Sequence, residues 1–372
     1  MDKLQYTSDL YGKNVFSHFN TDGLPDGMAD YHKKNFQKYF GLSEAQFKGL
    51  KVLDTGSGCG RQATVLALMG ANVTGADLSP ENVARGKRLK AHYKLDNLEF
   101  FQHDFMKPFG GQYDLVSAHN WVQHTENPAQ VIQNLLSSLR VGGKIYLSVY
   151  LAGTFRFFIA QIAREILHPE CQEMVKKLVK FHYPAGFSGF RNPDDICMEI
   201  ILDDFFVPYC NTTTFDIFVR DFDKLGCRPL TKGPQIPGLP GIDSIYLRMA
   251  FEKEKNSSRT DLEFTGPMLD EFDTSFDYVK PSAELAKKVI AHFKRLDDPV
   301  LSCSFVLGLF RVRSETNRSN DGPWKHGILQ SYLKSVLSDS LKEISMADTA
   351  RAWKESEEQG LECPTPPGAR YY

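Results

Sequence analysis

The stretch VLDTGSGCGRQA, residues 52–63, decides the fold. An apolar run ending in an acid (Val52, Leu53, Asp54) reads as a buried strand. Gly56, Gly58 and Gly60 then make a tight turn, and RQA opens a helix. A glycine turn between strand and helix lets backbone approach a ligand, usually a nucleotide. The spacing is G-x-G-x-G. A dinucleotide fingerprint needs its third glycine where Arg61 stands, and a phosphate-binding loop needs Gly-Lys-Ser or Gly-Lys-Thr, which is absent. Asp54 ahead of the turn is a poor neighbour for a pyrophosphate. It suits a ligand with positive charge, such as an ammonium or a sulfonium.

Outward from this turn, residues 51–150 alternate strand and helix. RQATVLALMG reads as a helix stopped by Gly70, and ANVTGADLS as a second strand. The next helix starts at Ser79 as N-cap with Pro80 in the first helical position. LEFFQHDF and YDLVSAH are further strands. NPAQVIQNLLSSLR repeats the Asn-Pro helix start, with Val131, Leu135 and Leu139 at i, i+4, i+8, and GGKIYLSVY closes the series. Such alternation with short connections predicts a parallel sheet covered by helices.

S-adenosylmethionine (SAM) carries both cationic groups and no phosphate. The later acids fit it too. Asp77 ends the second strand, where a carboxylate can accept both ribose hydroxyls. Asp104 ends the third, placed to accept from an adenine amino group. Asp114 begins the fourth strand and reads as structural.

With VLDTGSGCG, VTGADLS, the acid of QHDF, YDLVSAHNWVQHTENP and LRVGGKIYLSVY in this order, residues 50–150 resemble a class I SAM-dependent methyltransferase of the small-molecule type. The likeness extends more weakly to about residue 255. It implies an α/β fold: a Rossmann-like class I methyltransferase sheet with helical and aromatic lid insertions, followed by an α+β C-terminal extension. It implies SAM as cofactor, lined by Asp54, Gly56, Gly58, Asp77, Leu78, Asp104, Phe105 and Asn120. One departure is Thr55-Gly56-Ser57-Gly58-Cys59, where relatives often carry Gly-Cys-Gly-Thr; the change is conservative.

Methyl transfer from a sulfonium is an in-line displacement, so alignment and exclusion of water come first, and a base is needed only for a protonated acceptor. His119, Asn120, Trp121, Gln123 and His124 fall at the mouth of the sheet. His119 and Asn120 are expected at the methionine part of SAM. His124 stands where relatives often carry a histidine; it reads equally as a base and as a packed, hydrogen-bonded ring. Tyr11, in an aromatic N-terminal segment with Tyr6, Phe16 and Phe19, is the lid tyrosine chosen to reach the active site. His124, Tyr11 and His119 are therefore the catalytic candidates. Tyr183, Arg191 and Tyr209, in the aromatic, Pro- and Gly-rich stretch 182–211, are the acceptor-site candidates. Arg191 either clamps an acceptor carboxylate or pairs with Asp194 or Asp195 at the surface.

The domain reading is a lid segment at 1–48, a SAM-binding core at 49–255 with an inserted cover at about 151–211, and an extension with a flexible tail at 256–372. Helices are expected at 154–168, near 283–296 and near 325–344. With Lys+Arg 44 against Asp+Glu 46, net charge −2, the chain lacks the basic excess of a dedicated nucleic-acid binder. Seven scattered cysteines without a C-x-x-C pair suit a reducing, cytoplasmic compartment and no zinc site. No metal site, signal peptide or membrane span is expected. The expected function is a cytoplasmic SAM-dependent methyltransferase acting on a small-molecule acceptor, with the extension a candidate homodimer surface. The alternatives are SAM cyclisation or aminocarboxypropyl transfer, an RNA or protein methyltransferase, and a non-catalytic SAM-binding scaffold.

Overall fold

The computed structural model describes residues 2–16, 22–151, 155–168, 171–175, 205–230, 246–257, 262–263, 280–316 and 323–338. Seven strands form one mixed sheet: β1 (Lys51–Thr55), β2 (Asn72–Asp77), β3 (Leu98–Gln102), β4 (Tyr113–His119), β5 (Leu139–Tyr150), β6 (Cys227–Pro229) and β7 (Tyr246–Lys253). Their order is β3-β2-β1-β4-β5-β7-β6. The first five are parallel, while β7 runs antiparallel between β5 and β6. This is the Rossmann-like sheet the resemblance implied. The chain winds outward from β1 to β3, then returns to β4 and winds the other way. Such a reversal leaves a crevice at the carboxyl ends of β1 and β4, where open α/β sheets bind ligands.

Alternation along the strands sorts the core onto two faces. Val52, Val73, Leu115 and Tyr146 face α2 (Met28–Phe40), α3 (Arg61–Leu68) and α4 (Pro80–Tyr93). Leu53, Val116, Ala118 and Leu147 face α5 (Pro128–Ser137) and the helix Phe215–Lys224. Helix starts follow the sequence. Ser79, Asn127 and Thr214 accept from the backbone N–H of Asn82, Gln130 and Ile217 at 3.4, 3.0 and 3.3 Å, and Pro80 and Pro128 occupy first-turn positions. Leu139 differs: α5 stops at Ser137, and Leu139 opens β5 as its first buried residue. Asp114 is structural, accepting from the Lys51 N–H at 2.7 Å and pairing with Arg140.

Lys253, on β7, has its ammonium buried against the end of α5. It donates to the carbonyls of Leu136 and Leu139, both at 2.7 Å. The Leu136 carbonyl lies in the last turn of α5, where a helix leaves its carbonyls without an internal partner, and the Leu139 carbonyl opens β5. Lys253→Met keeps the stem's volume and orphans both carbonyls. It is expected to lower unfolding free energy by about 3 kcal/mol, the scale of a charge-assisted hydrogen bond plus a desolvated acceptor, read by urea denaturation.

Contacts divide the chain into two units: 1–152 with 207–239 and 244–266, and 153–206 with 240–243 and 267–372. In the second, the helix Phe155–Ile166 buries Phe158, Ile159, Ile162 and Ile166, as its spacing predicts. Where an α+β extension was expected, its described residues form three helices: Lys280–Leu296, Pro299–Thr316 and Pro323–Ser338. Phe305 lies between Phe293 and Tyr332, with ring centroids 4.7 and 5.5 Å away. Residues 176–204 and the tail beyond 338 lie outside the described residues. Among the described residues no helix is long and apolar enough to cross a membrane, and no group of three His, Cys, Asp or Glu could hold a metal.

Candidate active site

A cavity of about 190 Å³ opens over the carboxyl ends of the strands within the first unit. One wall comes from the strand ends: Gly56 after β1, Asp77 and Leu78 after β2, Asp104 and Phe105 after β3, His119 and Asn120 after β4. The other comes from the chain's start and from Tyr209: Lys3, Leu4, Thr7, Tyr11 and Phe16 close over the opening.

The glycine turn explains its own composition. Gly56 and Gly58 have φ of 58° and 52°, in the left-handed region that disfavours side chains. A Cβ on Gly56 would lie 2.4 Å from the Trp121 indole, and one on Gly58 would lie 2.9 Å from the Phe16 ring. Trp121 is fixed there by donating its indole N–H to the Thr55 hydroxyl at 3.2 Å and by contact with Phe105, ring centroids 5.1 Å apart.

Asp77 organises the turn from below. Its Oδ2 accepts from the Gly58 N–H at 2.8 Å; its Oδ1 accepts from the Ser79 N–H at 2.9 Å and the Asn82 amide at 3.2 Å. A carboxylate has about four acceptor positions, so one remains, on Oδ2. The expectation that Asp77 takes both ribose hydroxyls is thereby reduced to one. Burial raises its pKa, opposed by those three donors.

Asp54 is not on the cavity wall. Its parity with Val52 turns the side chain toward α3, beneath the turn. It is 1% exposed, and its Oδ2 has no hydrogen-bond partner. Desolvation pushes its pKa up to about 7. The Ser117 hydroxyl and the Ala63 backbone oppose that rise, and the Asp77 charge adds to it. Gly58 is likewise off the wall, covered by Phe16.

Asp104 accepts from the Met106 N–H at 2.9 Å through one carboxylate oxygen, capping the turn after β3. Asn120 adopts φ 59°, donates its N–H to the Ser148 carbonyl at 2.9 Å, and accepts from the Ser148 hydroxyl. His119 sits beside the Tyr146 hydroxyl, 3.3 Å from Nδ1. Burial, with Arg248 and His32 adding, pulls the His119 pKa down to about 3. The ring is neutral at physiological pH and a weak base, so its contribution is to shape and hydrogen bonding.

The N-terminal segment starts with α1 (Lys3–Asp9), capped by Asp2, and continues as a π-helical turn, Leu10–Val15. The Phe16 N–H donates to the Tyr11 carbonyl at 3.1 Å, five residues back. Such turns are rare and widen the helix locally. Here the widening aims Tyr11 inward: its ring lies 6.1 Å from Phe16 and 6.0 Å from His124. Arg85 of α4 donates to the Gly12 carbonyl at 2.6 Å, tying the lid to the core. His124 closes a short 3₁₀ turn, Val122–His124. Its Nδ1 lies 3.0 Å from the Tyr209 carbonyl, and the Lys3 ammonium lies 4.8 Å above the Tyr209 ring.

The cavity thus gathers Gly56, Asp77, Leu78, Asp104, Phe105, Asn120, His119, His124, Tyr11 and Tyr209, all chosen from sequence, and leaves out Asp54 and Gly58. Tyr183 and Arg191 lie outside the described residues. Sequence reasoning missed Asp2, Lys3, Leu4, Thr7, His103, Met106, Thr125 and Glu126. Met106 and Thr125 follow named residues closely, and that adjacency was the available signal. Lys3 had none, being brought in by the lid's packing alone.

Residues 46–180 match a family model described as a methyltransferase domain. The ubiquinone biosynthesis O-methyltransferase of Pseudomonas aeruginosa (strain UCBPP-PA14) is 31% identical over 125 residues, 33% of this chain and 54% of that one. The protein of the same name from Dechloromonas aromatica is 32% identical over 119 residues, 32% of this chain and 51% of that one. The chain spans about half the length of these curated relatives. Among solved structures, magnesium protoporphyrin IX methyltransferase from Synechocystis PCC 6803 with bound SAM aligns at a TM-score of 0.42 and 14% identity, covering 68% of this chain and 98% of that one.

Proposed function

We propose that this chain, whose residues 46–180 match a methyltransferase-domain model, transfers a methyl group from SAM to a small-molecule acceptor. The observation that carries the reading is the joint wall of the cavity. The glycine turn, one open acceptor position on Asp77 and the Asp104 carboxylate share it with a lid of aromatic side chains.

The residues present fit the cofactor. Gly56 leaves room for close approach. Asp77 Oδ2 can take one ribose hydroxyl, and Asp104 an exocyclic amine. Phe105 and Leu78 flank the base, and Asn120 and His119 meet the amino-acid end. The Asp54 carboxylate under the turn, with its Oδ2 unpartnered, favours a cation above it. Bound there, SAM supplies an electrophilic methyl on a cationic sulfur. The chain's own task is to orient the acceptor and keep water out. Tyr11, Phe16 and Leu4 exclude water, and Tyr209 with Lys3 forms the acceptor wall. His124 Nε2 is the base for an acceptor that carries a proton. The relatives' names include O-methyltransferase, which favours an oxygen acceptor.

Seven scattered cysteines without a C-x-x-C pair support a cytoplasmic location. The extension is a candidate homodimer surface. No nucleic-acid partner is proposed, in keeping with the net charge of −2.

Calorimetry with SAM, S-adenosylhomocysteine and NADH tests the cofactor half. Tight NADH binding with SAM ignored would sink it. Methyl-labelled SAM, incubated with a panel of phenols, amines and carboxylic acids, tests transfer. Release of methylthioadenosine in place of S-adenosylhomocysteine would move the reaction to cyclisation or aminocarboxypropyl transfer. Asp77→Ala is expected to weaken S-adenosylhomocysteine binding by about 1.5–3 kcal/mol, the range for hydrogen bonds to charged groups; unchanged affinity would remove the ribose assignment.

A further inference from the structure

Gln123 is fully buried, on the 3₁₀ turn between β4 and α5. Its backbone carbonyl accepts from the Asn211 N–H at 2.8 Å and from the Asn211 side-chain amide at 2.9 Å, which pins the turn. The same amide reaches the Thr125 carbonyl at 2.8 Å. The Gln123 side chain points at the neighbouring ring: Nε2 lies 3.3 Å from His124 Nε2, and Oε1 is buried with no hydrogen-bond partner. A buried carboxamide oxygen left without a donor is costly, so its retention calls for a reason.

The reason lies in which imidazole nitrogen changes state. His124 Nδ1 faces the Tyr209 carbonyl at 3.0 Å. A carbonyl only accepts, so Nδ1 carries hydrogen whether the ring is neutral or cationic. All proton exchange is therefore confined to Nε2. When the ring is neutral, Nε2 is an acceptor and the Gln123 N–H serves it. When Nε2 is protonated it becomes a donor, and a half-turn of the carboxamide brings the orphaned Oε1 to receive it. A carboxamide has both functions on one planar group; leucine or methionine there would serve neither state.

We propose that Gln123 is a positioning residue for proton transfer in the reaction proposed above. It holds the Nε2 lone pair of His124 before the acceptor arrives and takes the Nε2–H bond after the acceptor has given up its proton. The balance is simple. The acceptor's X–H bond breaks and an Nε2–H bond forms, while the X lone pair attacks the methyl carbon. The carbon–sulfur bond breaks, leaving its electron pair on sulfur. The proton stays on His124 against Gln123 Oε1 until the cavity opens to water. Gln123 is not on the cavity wall, so it acts through His124. Among the described residues, Tyr11 from the N-terminal segment and Tyr150 from β5 also face the imidazole, with centroids 6.0 and 5.2 Å away. Lys3 stands beyond Tyr209, and Asp2 and Glu126 lie on the same cavity wall.

The test needs no knowledge of the acceptor. Full-length protein labelled with ¹⁵N-histidine, with the His124 signal assigned through His124→Asn, is titrated by NMR. In the wild type the proton is expected to enter at Nε2. Gln123→Met is expected to lower the titration midpoint by about one unit, because the imidazolium loses its acceptor. Gln123→Glu is expected to raise it by about one unit or more, by placing a carboxylate there. Entry of the proton at Nδ1, or a shift below about half a unit in Gln123→Met, overturns the proposal. Should Gln123→Met fail to fold, a rise below about half a unit in Gln123→Glu overturns it. Because SAM binding is measured separately by calorimetry, a failure here leaves the cofactor reading standing, and the converse also holds.

Discussion

Asp54→Asn is expected to stabilise the protein by about 4 kcal/mol at pH 8, leave it unchanged near pH 4, and weaken its hold on a cationic cofactor. The buried carboxyl has a pKa of about 7 when folded and about 3.9 when unfolded. Between those values the folded state binds more protons than the unfolded, so stability falls as pH rises. Three units at about 1.4 kcal/mol each give the loss, complete above pH 7. Asparagine carries no charge at either end and abolishes the slope. His32 and His119, pulled down to about 4 and about 3 by burial, act in the opposite sense. Their stabilisation is present above about pH 6.5 and is lost as pH falls through those values. The wild-type profile is therefore a sum, and the difference curve between wild type and Asp54→Asn isolates the carboxyl. Urea denaturation at pH 4, 6 and 8 gives that curve.

The same group makes cofactor binding pH-dependent. A cation above the turn favours the charged form of Asp54, so binding expels a proton below pH 7. Affinity for SAM is then expected to rise with pH, by up to about tenfold per unit between pH 5 and 7, and to level off above. Calorimetry in two buffers of different ionisation heat counts the proton directly. In Asp54→Asn the affinity should be lower and the pH dependence largely gone. A difference curve flat in pH, or a variant that binds SAM as tightly as wild type at pH 8, would show that the carboxyl neither ionises in this range nor attracts the ligand.

Asp54 also marks where sequence stops speaking. Its place before the glycine turn is plain from VLDTGSG, and the turn's ligand class was argued from its charge. Which way the carboxylate points depends on strand parity and on what packs there, and the answer is toward α3, beneath the turn and off the cavity wall. Caps and punctuation were legible because they are local: Ser79-Pro80, Asn127-Pro128 and Gly70 each act within one turn of themselves. Asp77 and Asp104 were legible for a similar reason, since a parallel strand delivers its last residue to the carboxyl edge. The lid was only half legible. Tyr11 could be picked as an aromatic residue in an aromatic segment. The π-helical turn that carries it has no local sequence signal, and the Lys3 ammonium over Tyr209 joins segments some two hundred residues apart. Gln123 was legible only in place, at the mouth of the sheet after β4: its unsatisfied oxygen is a property only three dimensions confer.

Gly75→Ala is expected to destabilise the fold by more than about 3 kcal/mol, a large effect for one methyl group, and to be partly rescued by Phe100→Leu. Gly75 on β2 pairs with Phe100 on β3, and the Phe100 ring, 1% exposed, leans across it. A Cβ at Gly75 would stand 2.4 Å from the ring. Ordinarily a ring would swing aside, but this one is held on three sides. A Cβ at Gly86 of α4 would meet it at 2.6 Å, and one at Gly60 would meet it at 2.8 Å while also lying 2.7 Å from the Gly86 Cα. These glycines, from the SAM-type turn, β2 and α4, form one slot that lets the helix settle against the sheet, and the aromatic ring fills it. Overpacking a rigid slot usually costs about 1–3 kcal/mol, occasionally more; with nowhere for the ring to go, the upper end or beyond applies. Phe100→Leu alone should cost about 1–2 kcal/mol by underfilling the space. In the Gly75→Ala background it should restore stability, giving a coupling of at least about 2 kcal/mol in a double-mutant cycle. Additive losses would mean that Gly75 matters through backbone freedom and not through the ring. Because Gly60 is both slot wall and third glycine of the turn, the double variant should also recover S-adenosylhomocysteine binding along with stability, linking the packing of Phe100 to the shape of the ligand-binding loop.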